Sequence, residues 1–478
     1  MESASFEFLL FGLAVAICSN VSQSQRWRTG VLLVSSVIFC ALQTHDPLLF
    51  LPLLGFLALG YVALLLLQRG WSRTWVPSIV AIILAFVWLK KYTFLPHATF
   101  LRFPYVTLGL SYIFFRVLHL VIETKDRTEQ PKMGLLGYLS YMLNFTTLVS
   151  GPIQRYDEFA RDQFAEQPIT LGPRVIGRQI ERIIRGYFKV NVLALLFDMI
   201  HADALLELAQ PAPASAKIYA AARLAVSYPL FLYANFSGYI DIVIALARLM
   251  RLRLPENFDR PFSAASFLDF WNRWHITLST WLKTYVYNAL LLTLMRRTSS
   301  PTVQQYLGIL CFFVTFFLIG VWHGRTSEFV IFGVLQGGGV ALNKLWQVSL
   351  SDWLGRRGYK SLAGNGLYTA VARGLTFSWF AFTLFWFWAS WSQLDAVFAA
   401  LGAAQWLLVW LAVWLSATGV LAAWERLRAA LLSLQVQGTT LLTSSYARVI
   451  AASVLALVSF EMMALLDQPA PDIVYKAF

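Results

Sequence analysis

Residues 304–324 read QQYLGILCFFVTFFLIGVWHG. No charged residue interrupts the run from Gln304 to Val321, which then meets Trp322, His323 and Gly324. A run of this length is either the core helix of a large soluble protein or a membrane span, which takes about 20 apolar residues. The rest of the chain decides between them. Of 478 residues 58% are hydrophobic and only 13% charged, and the mean hydropathy is +0.61. Soluble domains carry about 25% charged residues, and half of that cannot clothe the surface of a soluble protein this large. The run is a span, and the chain reads as an all-α, polytopic membrane protein.

Similar runs recur from residue 5 to residue 466. Some are short for a crossing, so about eleven or twelve transmembrane helices are expected, with re-entrant segments around a central tunnel. A single membrane domain over 1–466 and a short tail over 467–478 follow. The first run, FEFLLFGLAVAIC, lacks a basic leader and reads as a retained span. Cys18, Cys40 and Cys311 lie in apolar runs without CxxC spacing and read as buried thiols. The net charge of +13 is spread over short clusters between spans, as the positive-inside rule requires, and forms no nucleic-acid patch. Arg26 with Arg28, Lys125 with Arg127 and Lys132, Arg174 to Lys189, Arg248 to Arg253, and Arg356 to Lys360 fall on the cytoplasmic side. Asp46 and the loop 201–216 then fall outside, and counting crossings places both termini outside the cytoplasm.

Three stretches are too polar for a lipid-facing span and too apolar for a free loop. They are LVSGPIQRYDEF (148–159), the segment 235–287 and GVWHGRTSEF (320–329). Irregular backbone at membrane depth survives only inside protein or along a wet cavity. His45, His97 and His201 sit at span ends and read as surface residues. His119, in FFRVLHLVIE, reads as a packing residue or a cavity liner. His275 and His323 each follow a tryptophan inside an anomalous stretch, and ionisable groups there are functional candidates by default. Gly324 permits close approach of backbone or ligand. Burial would keep His323 neutral, as a general base needs. The chain shows no Walker, GxGxxG, HExxH or GxSxG pattern, and two histidines without paired carboxylates make no convincing metal site.

NFSGYIDIVIALARLMRLRLPENFDRPF (235–262), DFWNRWHITLSTWLKTYVY (269–287) and GVWHGRTSEFVIFGVLQG (320–337), preceded by TLGLSYIFFR and SGPIQRY, resemble the blocks of the membrane-bound O-acyltransferase superfamily. They are most similar to the bacterial branch containing alginate O-acetyltransferases and teichoic-acid D-alanyl transfer proteins. The resemblance covers roughly residues 100–345. Lys283-Thr284 stands where that branch has Arg-Asp.

The resemblance implies an O-acyltransferase of the cytoplasmic membrane with His323 and His275 as its catalytic pair. Asn257, Asn272, Arg273, Trp274, Trp322 and Gly324 would shape the tunnel and position substrate. No cofactor would be bound. The donor would be a cytoplasmic thioester, acetyl-CoA or the phosphopantetheine of an acyl carrier protein. An extracytoplasmic acyltransferase or a glycopolymer would receive the acetyl or D-alanyl group. Ile473, Tyr475 and Phe478 match the spacing of a Phe-x-Tyr-x-x-Phe tail whose tyrosine can carry the acyl group, which makes Tyr475 an acyl-relay candidate. A transporter or flippase would share the hydropathy and the intramembrane polar residues, although no inverted repeat is visible. A lipid-directed acyltransferase of the same superfamily is the other alternative.

Overall fold

A computed structural model describes residues 5–44, 46–125, 133–298, 300–436, 439–440, 444–466, 468 and 471–473. His45, Arg127, Lys132, Tyr475 and Phe478 lie outside the described residues. Helix dominates, accompanied by one two-residue antiparallel ladder pairing Gln435–Val436 with Thr439–Thr440. By length and apolarity, 8 helices among the described residues can cross a membrane: Pro47–Gln68, Ser72–Leu89, Ala214–Leu249, Tyr306–His323, Ser327–Gly364, Gly366–Trp388, Ala403–Ser433 and Ser445–Leu466. The larger count expected from sequence included runs at about 5–22, 30–44 and 104–122, which fall on Phe6–Asn20, Gln25–Ala41 and Leu110–Thr124. Each is a helix, but of only 15 to 17 residues, at or below the shortest length that spans. The run expected at 183–200 crosses a π-helical turn, Lys189–Ala194, between the helices Pro173–Phe188 and Leu195–Ala209. The apolar run from 134 to 150 breaks into Leu135–Met142 and Phe145–Leu148. The described cysteines are free; Cys311 is buried as expected, whereas Cys18 is exposed.

The chain forms two compact units interleaved in sequence. The first comprises Met1–Val190, Phe236–Glu256 and Asp472–Phe478. Phe8, Phe39, Phe145 and Tyr239 pack ring against ring at its centre, with centroids 5.9–6.4 Å from Phe8. Gly186 and Gly238 let the Pro173–Phe188 helix meet the 236–249 portion of the long helix, since a Cβ on Gly238 would lie 2.7 Å from the Gly186 carbonyl. Asp241 then receives Arg182 at 2.9 Å and Lys189 at 2.8 Å. Several arginines of the expected cytoplasmic clusters are engaged rather than free. Arg28 is buried and donates to the carbonyls of Asp162 and Ala165, and Arg253 pairs with the Asp162 carboxylate.

The irregular stretch after Tyr141 is buried from Asn144 to Gln154. Its carbonyls need donors, and the wholly buried Arg116 supplies them. Its guanidinium donates to Tyr141 O and Met142 O, both at 3.0 Å, and to Thr147 O. His119 lies in the same unit, 3.4 Å from the Tyr141 hydroxyl and 3.6 Å from Glu123.

The second unit comprises Asn191–Asn235 and Asn257–Pro471. Its main feature is a helical hairpin of Pro301–His323 and Ser327–Gly364. Small residues let membrane helices approach closely. Here a Cβ on Gly320 would lie 2.2 Å from the Gly333 Cα, and one on Gly337 would lie 2.5 Å from the Phe313 carbonyl. This contact fixes the helix end that carries His323. Gly320→Ala is therefore expected to cost about 1–3 kcal/mol through overpacking, read as a lower thermal midpoint in detergent. Gly338→Ala, with open space around it, is the control. Equal midpoints for the two variants would show that the hairpin does not depend on this contact.

Candidate active site

His275 owes its place to a short pairing inside the second unit. Phe258 and Trp274 form an antiparallel bridge, Asp259 N donates to Arg273 O at 2.9 Å, and Ile276 N donates to Asn257 O at 3.0 Å. His275 stands at the turn between the helices Phe267–Trp271 and Ile276–Leu282, with φ 46° and ψ 51°. This left-handed conformation costs a non-glycine residue about 1–3 kcal/mol and persists only where the surroundings enforce it. Asn257, wholly buried, does so. Its Oδ1 accepts from Thr277 N at 3.1 Å and Thr277 Oγ1 at 2.8 Å, and lies 3.3 Å from His275 Nδ1. An amide oxygen accepts, so Nδ1 carries the proton and Nε2 is the basic nitrogen. His275 lies outside the eight spans, and burial pushes its imidazole down to about 3, which leaves it neutral at physiological pH.

His323 is the last residue of its helix and is 1% exposed. Aromatic rings box it in: Trp322 at 4.8 Å, Phe387 at 5.4 Å and Phe332 at 6.0 Å between centroids. Gly324 is required there for space, because a Cβ would lie 1.9 Å from the Phe329 ring. Trp322 also approaches His275, at 6.4 Å. The two histidines thus flank one indole, both buried. Buried imidazoles in an aromatic setting can move a proton to or from a hydroxyl.

The other expected site residues divide. Asn272 lines a cleft of about 220 Å³ beside His275. Arg273 turns to carboxylates, with Nε 3.0 Å from Asp269 and Nη1 3.9 Å from Asp259. Trp274 packs among Phe258, Phe270 and Phe380. Neither Arg273 nor Trp274 lines the cleft. Trp271 does line it. His201, expected at the surface, is 9% exposed and sits against Trp388, Tyr228 and the Ser227 hydroxyl. It lies inside the helix Leu195–Ala209 and not in the expected loop, and the residues covering it come from distant segments. His97 is exposed, as expected.

Residues 74–348 match the family described as MBOAT, membrane-bound O-acyltransferase family. The chain is 26% identical over 310 residues to the teichoic acid D-alanyltransferase of Bacillus subtilis (strain 168), covering 64% of this chain and 75% of that protein. It is 28% identical over 276 residues to the teichoic acid D-alanyltransferase of Streptococcus thermophilus, covering 57% and 65%. Over 350 residues it is 29% identical to the probable alginate O-acetylase AlgI of Pseudomonas fluorescens, covering 72% and 66%.

Proposed function

The chain belongs to the membrane-bound O-acyltransferase family, and on that premise we propose that it carries an acetyl or D-alanyl group from a cytoplasmic thioester towards hydroxyls of an exported glycopolymer. The observation that carries this reading is the burial of His275 and His323 on either side of Trp322. The names of the relatives, which act on teichoic acid or alginate, support the acyl and acceptor classes.

In this reading an acceptor hydroxyl attacks the thioester carbonyl while His323 takes its proton. The tetrahedral intermediate collapses, the carbon–sulfur bond breaks, and the proton passes to the departing thiolate. The oxygen ester remains on the acceptor. His275, with its Nδ1 proton directed at Asn257, presents Nε2 as an acceptor for another N–H or O–H of the bound substrates and so holds them beside His323. Desolvated positioning and one base account for acyl transfer without a metal.

The donor side is the cytoplasm and the delivery side is outside, with both termini outside the cytoplasmic membrane. Tyr475 is then the first acceptor, its phenolic ester being an activated donor for a second, extracytoplasmic transferase. The test uses proteoliposomes supplied with a labelled thioester. Wild type should label the protein or a co-reconstituted acceptor, and Tyr475→Phe should insert normally but lose label on the chain and delivery to polymer. Normal polymer acylation by Tyr475→Phe would return the tail to a simple anchor. Acylated phospholipid in place of polymer would favour lipid-directed chemistry.

A further inference from the structure

The helix Pro173–Phe188 carries Arg174, Arg178, Arg182 and Arg185 against a single carboxylate, Glu181. It is not among the eight spans. Its arginines divide into two pairs. Arg182 and Arg185 turn to Asp241, on the side where Gly186 meets Gly238. Arg174 and Arg178 are exposed and make no hydrogen bond or ion pair among the described residues. This sets them apart from Arg28, Arg251 and Arg253 in the other basic clusters, which donate to Ala165 O, Ile169 O and the Asp162 carboxylate.

At 3.6 residues per turn, Ile176 and Ile180 fall on the side of this helix roughly opposite Arg174 and Arg178. Both isoleucines are open, Ile176 by 38% and Ile180 by 49%. The helix is thus packed along one side and free on two flanks, one apolar and one basic. All four residues lie within about 9 Å of its axis length. An exposed apolar ridge is unfavourable in water, and guanidinium groups are costly in hydrocarbon. The boundary between acyl chains and headgroups satisfies both flanks at once. Protein-docking cores are rich in aromatic rings, whereas the exposed residues of this helix are Pro173, Arg174, Ile176, Arg178, Ile180 and Arg185. Positive-inside counting assigns this helix to the cytoplasmic leaflet, where anionic lipids gather.

We propose that this helix sits at the membrane interface and binds anionic phospholipid, with Arg174 and Arg178 on the headgroup and Ile176 and Ile180 along the acyl chains. Guanidinium groups pair well with phosphate. Phosphatidylcholine also offers a phosphate but brings its own cation, so net charge decides between the lipids.

The test reconstitutes the full chain in vesicles of equal phosphatidylglycerol and phosphatidylcholine. Either lipid carries the same photoactivatable acyl chain, and adducts are mapped by mass spectrometry. On residues 173–188 of wild type, phosphatidylglycerol adducts should exceed phosphatidylcholine adducts at least about fivefold, the gain of one basic residue beside an anionic surface. Arg174→Gln with Arg178→Gln should bring that ratio to about one, and the corresponding pair of Lys variants should keep it. Ile176→Ser with Ile180→Ser should lower labelling by both lipids. Adducts on Ser445–Leu466, a span only 6% buried, should be the same in every variant, which separates a lost lipid site from a damaged fold. A ratio near one in wild type, or an excess that survives the Gln pair, would overturn the proposal. Absence of adducts from either lipid on 173–188 would also overturn it and give the helix to a protein partner.

Discussion

Replacing His323 with Ala or Gln is expected to lower acyl transfer by about 10²–10⁴-fold, the usual contribution of one positioned proton-transfer group, with the protein still folded and inserted. His323 is 1% exposed among Trp322, Phe332 and Phe387, so truncation also leaves a cavity. Gln fills most of that volume and keeps polar atoms but cannot take a proton at neutral pH, and for this reason it is the more informative variant. Transfer rates in proteoliposomes, normalised to monodisperse protein, give the comparison. His275→Gln should also be severely impaired, because it removes Nε2 from the site that Asn257 holds in place. His97→Gln, at an exposed position, should change little. Comparable losses in all three variants would mean that stability is being measured. Near-normal transfer by His323→Gln would remove the general base from the mechanism.

The amount of this site that the sequence reveals follows from the range of its signals. The spans are local: uninterrupted apolar length is enough to find them, although not to tell a helix of 15 residues from one that crosses. The two histidines are local anomalies as well, polar groups where composition forbids them, and both prove to be buried. Partners are a different matter. Asn257 reaches His275 across 18 residues, and the close approach of Gly320 and Gly333 joins two helices; neither pairing has a periodic signature. The surroundings of Arg273 and Trp271 are hidden for the same reason. A charge beside a histidine suggests a channel wall, yet Arg273 has two carboxylates within reach. An indole on a helix face suggests an interfacial anchor, yet Trp271 faces a cleft whose other wall is some 40 residues away in sequence, at Phe312 and Phe316.

Arg116 carries the second large expectation. It lies in TLGLSYIFFR, where an arginine in an apolar helix could pass for a snorkelling side chain at a span end. Instead it is 1% exposed, and its guanidinium donates to carbonyls and pairs with no carboxylate among the described residues. Two effects oppose each other on replacing it with Met. Removing a buried charge recovers its desolvation cost, several kcal/mol. Against this, the carbonyls of Tyr141, Met142 and Thr147 lose their donor at about 1–3 kcal/mol each, and the guanidinium no longer covers the Tyr141 ring, now 5.6 Å away. The second effect should win. Gly151 is pressed to 2.4 Å between an imagined Cβ and the Thr147 Cα, so the irregular turn has no room to recruit other donors by refolding locally. Arg116→Met should therefore reduce the yield of folded, monodisperse protein to near zero, whereas Arg161→Met, at an exposed position, should leave it unchanged. Arg116→Lys keeps the charge but replaces a planar fork by a point donor, and should recover only part of the yield. Wild-type yield and thermal midpoint for Arg116→Met would show that the turn is held by packing alone.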